Sequence, residues 1–96
     1  MQGESGITRG EAILKRGKLL RVWVEFVGDE IKNVKITGDF FIYPEDTVEV
    51  LEKELKGKKI KDVQGIVENV MRNCEYIGIE PKHIVEAVEL AWKRRK

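Results

Sequence analysis

Ninety-six residues allow one domain and not two. Hydrophobic residues at 42% and charged residues at 36% are an ordinary soluble globular mixture, and eighteen Lys plus Arg against seventeen Asp plus Glu leave a formal charge of +1. That balance lacks the basic surplus of a dedicated polyanion binder, and one cysteine with one histidine excludes an internal disulfide, a multi-thiolate metal site and most histidine-based catalytic sets.

The first residues, 1–6, hold two glycines and a serine without an apolar partner and read as a flexible tail. Residues 7–96 read as the single domain. Glu11–Arg16 is predicted as an edge strand, its charges suited to an edge, turned back at Gly17-Lys18. Residues 19–27 alternate cleanly: Leu20, Val22, Val24 and Phe26 share one face, Arg21, Trp23 and Glu25 the other. Gly28-Asp29 breaks the run, and residues 31–37 form a second strand with Val34 and Ile36 on its core face. Ile31 has the wrong parity, which predicts a bulge or wide turn near Asp29-Glu30.

Pro44 is predicted to open a helix, because a first-turn proline loses no hydrogen bond. Val48, Leu51 and Leu55 are its apolar stripe and Gly57 its stop, with Glu49/Lys53 and Glu52/Lys56 as supporting pairs. A second helix is expected over 62–73, with Val63, Ile66, Val67, Val70, Met71 and Cys74 at spacings of three and four. A third starts at Pro81, lined by Ile84, Val88, Ala91 and Trp92 and closed by the cations Lys93 to Lys96. The fold class is therefore α+β, a three-stranded antiparallel sheet with about three helices on one face. The sheet's second face stays uncovered. Trp23 and the Phe40-Phe41 segment are expected there, an exposed aromatic patch of the kind that meets a partner.

No run approaches the roughly 20 apolar residues of a membrane span, and the N-terminal residues have no apolar secretory core. The expected location is the cytoplasm, with no membrane and no nucleic acid as partner. The terminal WKRRK is read as dipole complement and solvated charge. His83 reads as a surface or half-buried residue near a helix start.

The stretch Gly38-Asp39-Phe40-Phe41-Ile42-Tyr43-Pro44 is the most unusual in the chain. Glycine lets a strand end abruptly. Asp39 can accept hydrogen bonds that fix a turn, and a glycine beside a helix start can turn N–H groups toward an anion or another chain. The plain reading is a strand-to-helix connection whose phenylalanines fill the core.

With Gly17-Lys18-Leu19 before the hairpin, Gly38-Asp39-Phe40-Phe41 after it, Pro44, and Leu51/Leu55 leading to Gly57, the segment GKLLRVWVEFVGDEIKNVKITGDFFIYPEDTVEVLEKELKG resembles the small accessory domain of lipoate-protein ligases. In some archaea that domain is a separate chain, the second subunit of a two-part ligase. The resemblance implies a non-catalytic accessory subunit that docks on a catalytic subunit. It enables ATP- and Mg²⁺-dependent activation of lipoate to lipoyl-AMP, for transfer to lipoyl-domain acceptor proteins. It implies no catalytic residue, metal or cofactor held by this chain alone. By position, Lys18, Gly38, Asp39, Phe40, Phe41 and Pro44 are expected to face the partner and complete its active site. Lys18 also reads as a solvated turn lysine, and one phenylalanine as core.

The family architecture resembles that of iron–sulfur scaffold and sulfur-acceptor proteins, which work through cysteines. Cys74, on an apolar helix face, reads instead as a small core residue. A sulfur-transfer or cluster-assembly protein and a non-enzymatic adaptor module remain the alternatives.

Overall fold

The computed structural model describes residues 6–15 and 18–96. The expected tail, apart from Gly6, lies outside the described residues, as do Arg16 and Gly17. Nine elements follow one another: β1 (Ile7–Lys15), β2 (Leu19–Val27), β3 (Glu30–Gly38), β4 (Phe41–Tyr43), α1 (Thr47–Leu55), a 3₁₀ turn (Ile60–Asp62), α2 (Val63–Met71), β5 (Glu75–Ile77) and α3 (Pro81–Lys93). Strands β1, β2 and β3 form an antiparallel sheet in that order, and β4 and β5 form a separate antiparallel ribbon. The α+β class and the three-stranded sheet with helices on one face are as read from the sequence.

Alternation decides which face of the sheet is covered. Ala12 and Leu14 on β1, Leu20, Val22, Val24 and Phe26 on β2, and Ile31, Val34 and Ile36 on β3 all turn inward and are buried. Helix α3 crosses β1 and β2, α1 packs on β3, and α2 packs against α1 and α3. Leu51, Leu55, Val63, Val67, Met71, Ile84, Ala87, Val88 and Ala91 close the core from the helical side. Each large side chain buried there contributes about 1.5–3 kcal/mol of transfer free energy.

Ile31 reaches the core through an irregularity in register. Glu25 faces Asn33 but Phe26 faces Ile31, so Lys32 is the extra residue. The bulge expected near Asp29-Glu30 thus sits slightly further along. Gly10 solves a different packing problem. A Cβ there would run into the Ala91 carbonyl, so only glycine lets α3 approach β1 this closely. Phe26 meets Trp92 edge-to-face, with ring centroids 5.0 Å apart at 75°.

Several expectations are corrected. β1 begins at Ile7, four residues before Glu11. Pro44 does not open α1: the Tyr43-Pro44 peptide is cis, and the helix begins at Thr47. The Pro44 carbonyl instead accepts from the Thr47 N–H (3.0 Å) and Oγ1 (2.7 Å). The second helix spans only Val63–Met71, leaving Cys74 beyond its end. The ribbon strands β4 and β5 have no counterpart among the predicted elements. Glu52 turns to the sheet, its Oε2 accepting from the Ile36 N–H at 2.8 Å. Among the described residues, no helix is long and apolar enough to cross a membrane.

The last residues fold back. Arg95 stacks over the Trp92 ring, 3.4 Å from its centroid, and Lys96 exchanges two backbone hydrogen bonds with Arg9. This pairing occupies the outer edge of β1 at Arg9, so the terminal cations do more than complement the helix dipole.

Candidate functional site

Lys18-Leu19, at the start of β2, brings the parts of the site together. The Leu19 carbonyl accepts from the Asp39 N–H at 2.9 Å, and the Lys18 N–H donates to the Gly78 carbonyl at 3.0 Å. Two residues therefore bracket the chain entering β4 and the chain leaving β5. Both contacts need glycine opposite. A Cβ on Gly38 would meet the Leu19 carbonyl and the Phe40 ring. Gly78 has φ 85°, and a Cβ there would collide with the Lys18 stem.

The ribbon pairs Phe41 with Ile77, Ile42 with Tyr76 and Tyr43 with Glu75. Opposite residues share a face. Ile42 turns inward and is buried, whereas Phe41, Tyr43 and Ile77 face outward with 51%, 56% and 67% of their surface exposed. Three large apolar side chains thus stand clustered in water on a ribbon only three residues long.

All six residues singled out from the sequence lie at this end. Lys18, Gly38, Asp39, Phe41 and Pro44 are exposed, while Phe40 is half-buried and packs against the core. One phenylalanine faces solvent and the other is structural. Neither lies on the open face of the large sheet, where both were expected; they follow the sheet's last strand. Tyr76, Ile77 and Gly78 also belong to the site and lie outside every segment the sequence singles out, and Tyr43 lies within the singled-out stretch but not among the six. The signal available was small: Tyr76-Ile77, two strand formers, immediately before a glycine.

The open face of the large sheet does carry Trp23, 38% exposed, with Ile13 and Val27. Around it Arg9 Nε donates to Glu25 at 3.1 Å, and Arg21 lies 3.9 Å from Glu11. Asn33 Nδ2 donates to Glu25 Oε1 at 2.8 Å. That bond, followed by Arg9 and then Lys32, holds the Glu25 carboxyl below its ordinary value against the opposing effect of desolvation.

Cys74 is half-buried. Its Sγ lies 3.3 Å from the Val70 carbonyl and 3.5 Å from Thr47 Oγ1. A single thiol in this setting does not make a cluster scaffold. His83 Nδ1 accepts from the Glu80 N–H at 3.2 Å, one arm of a capping box at the start of α3. No three His, Cys, Asp or Glu side chains among the described residues could hold a metal ion. The sequence contains neither the G-x-G-x-x-G nor the G-x-x-x-x-G-K pattern of glycine-rich phosphate loops. The site offers apolar contact area flanked by Lys18 and Asp39, an arrangement that suits docking.

Comparison with known proteins agrees with this geometry. The family described as bacterial lipoate protein ligase C-terminus matches residues 19–88. Lipoate-protein ligase A subunit 2 of Thermoplasma acidophilum is 34% identical over 77 residues, covering 79% of this chain and 81% of that protein. A solved structure from the same organism, from a structural analysis of a bi-partite lipoate protein ligase and its E2 lipoyl domain, superposes with a TM-score of 0.74 at 30% identity. The match covers 85% of this chain and 93% of that one. The family match takes in β2, β3, the ribbon and α3 as far as Val88, and the chain belongs to the family of lipoate-protein ligase C-terminal domains.

Proposed function

We propose that this chain is the accessory subunit of a split lipoate-protein ligase. It binds the catalytic subunit and enables activation of lipoate to lipoyl-AMP for protein lipoylation. The observation that carries the reading is the outward cluster of Phe41, Tyr43 and Ile77 on the ribbon, within the region that matches the family. Large apolar side chains anchor interfaces, and here they stand where the most distinctive sequence motif leads.

Lys18, Gly38, Asp39, Phe40, Phe41 and Pro44 divide the work. Phe41 and Pro44 offer apolar contact. Lys18 and Asp39 offer one charge each at the rim. Gly38 and Phe40 hold the turn in shape. ATP, Mg²⁺ and lipoate bind in the catalytic subunit, and this chain orients groups there and excludes water from them. Alone it performs no adenylation.

The test mixes the purified chain with the catalytic subunit and measures lipoate-dependent pyrophosphate release. A clear acceleration is expected. An equal rate without the chain would refute the proposal. Phe41→Ser combined with Ile77→Thr should remove the acceleration while leaving the chain folded, because both side chains already face water and the replacements put no like charges opposite each other.

A further inference from the structure

The ribbon leaves a second surface unused. The open face of the large sheet is organised in cross-strand rows: Arg9–Glu25–Asn33, Glu11–Trp23–Lys35 and Ile13–Arg21–Thr37. Glu25 and Glu11 on it are already matched by arginine, and Glu30 stands at its end opposite Val27. Lys15 and Lys35 add two positive charges, and Arg94 and Lys96 wall a groove of about 330 Å³ against Trp23. Six cations against the three acids Glu11, Glu25 and Glu30 make this face net positive, so in a chain of net charge +1 the remainder is net negative. The complement of such a face is acidic.

Nucleic acid fits less well. Glu11, Glu25 and Glu30 interrupt the cations and would repel a continuous row of phosphates. A protein surface can place carboxylates opposite Lys15 and Lys35 and an apolar group against Trp23.

The size of the face points to a partner that leaves. Three strands about 4.8 Å apart and nine residues long present on the order of 400 Å². Stable protein pairs bury about 800 Å² on each side. In the ligase proposed above, the catalytic subunit stays and the acceptor must come and go. Resting on that reading, we infer that the open sheet face receives the lipoyl-acceptor domain transiently, through carboxylates on that domain, while the ribbon holds the catalytic subunit.

The test uses the isotope-labelled full chain titrated with the acceptor lipoyl domain and followed by NMR. Expected shifts centre on the Trp23 indole and the Arg21 and Lys35 amides, and they fade as salt rises from about 50 to about 300 mM. Lys15→Glu with Lys35→Glu should weaken binding by about tenfold or more, and the milder Lys15→Gln with Lys35→Gln by less. Shifts confined to the ribbon, or no shifts at low salt, overturn the inference. Pyrophosphate release with the catalytic subunit, measured in parallel, reports on the ligase reading separately. It should be unchanged in both lysine variants, and its loss in folded variants would show that the face touches the catalytic subunit instead.

Discussion

The large sheet and the small ribbon solve opposite problems. The sheet has three nine-residue strands whose inward side chains are covered by three helices. The ribbon has two strands of three residues, separated by more than thirty positions in sequence, and displays Phe41, Tyr43 and Ile77 to water. Its frame comes from Lys18-Leu19 on one side and the glycines Gly38 and Gly78 on the other. Stability resides where apolar surface is buried, and recognition where it is held out. A short ribbon can be spared from the core only because a longer sheet anchors it.

That contrast can be broken most severely in the sheet. Phe26→Ala removes a fully buried ring and its edge-to-face contact with Trp92, and should cost about 3–5 kcal/mol of stability. Thermal unfolding would show whether this alone leaves the chain unfolded at moderate temperature. Gly10→Ala is the steric counterpart. The new methyl group meets the Ala91 carbonyl, backbone rather than a yielding side chain, and should cost about 1–3 kcal/mol with α3 pushed outward. A melting temperature equal to wild type would contradict this packing.

On the ribbon the balance should invert. Phe41→Ala changes stability by no more than about 0.5 kcal/mol but should weaken binding to the catalytic subunit by about 2 kcal/mol or more. Calorimetric titration of the two subunits measures the second quantity and circular dichroism the first. If both change alike, Phe41 is structural. Cys74→Ser should leave pyrophosphate release at its wild-type rate, since the thiol's partners are the Val70 carbonyl and Thr47 Oγ1, which a hydroxyl can also meet.

The smallest effect belongs to the open face. Glu25 is held below the ordinary carboxylate value of 4.5, first by Asn33 and then by Arg9. A carboxyl lowered in the folded state adds stability above its unfolded value, and that stability is lost as pH falls through the folded one. Asn33→Ala should raise the Glu25 value toward 4.5 and shrink the difference in melting temperature between neutral and acidic solution. A carboxyl titration followed by NMR would contradict this if the value stayed in place.

Periodicity made the sheet legible. Alternation from Leu20 to Phe26 named the core face, and the wrong parity of Ile31 announced a bulge whose position only pairing could locate. The apolar spacing of Ile84, Val88 and Ala91 announced α3, which begins at Pro81 as expected. Pro44 misled because the same residue suits a helix start and the turn it occupies; the choice depends on how the chain leaves β4. Half of the site was legible through Gly38-Asp39-Phe40-Phe41. The other half, Glu75–Ile77, is too short to show a period and acquires its strand pairing only from β4.

Local spacing by itself determined the α+β class, the inward faces of β2 and α3 and the candidate turn, because burial imposes a period of two on a strand and near 3.6 on a helix. Tertiary structure alone decided that residues 41–43 and 75–77 pair and that Phe41 faces water while Phe40 does not. It also decided that Lys18 meets Gly78 and that Arg94 and Lys96 come to stand beside Trp23. Such contacts join residues far apart in the chain, and no periodic pattern encodes which distant segments a folded core will bring together.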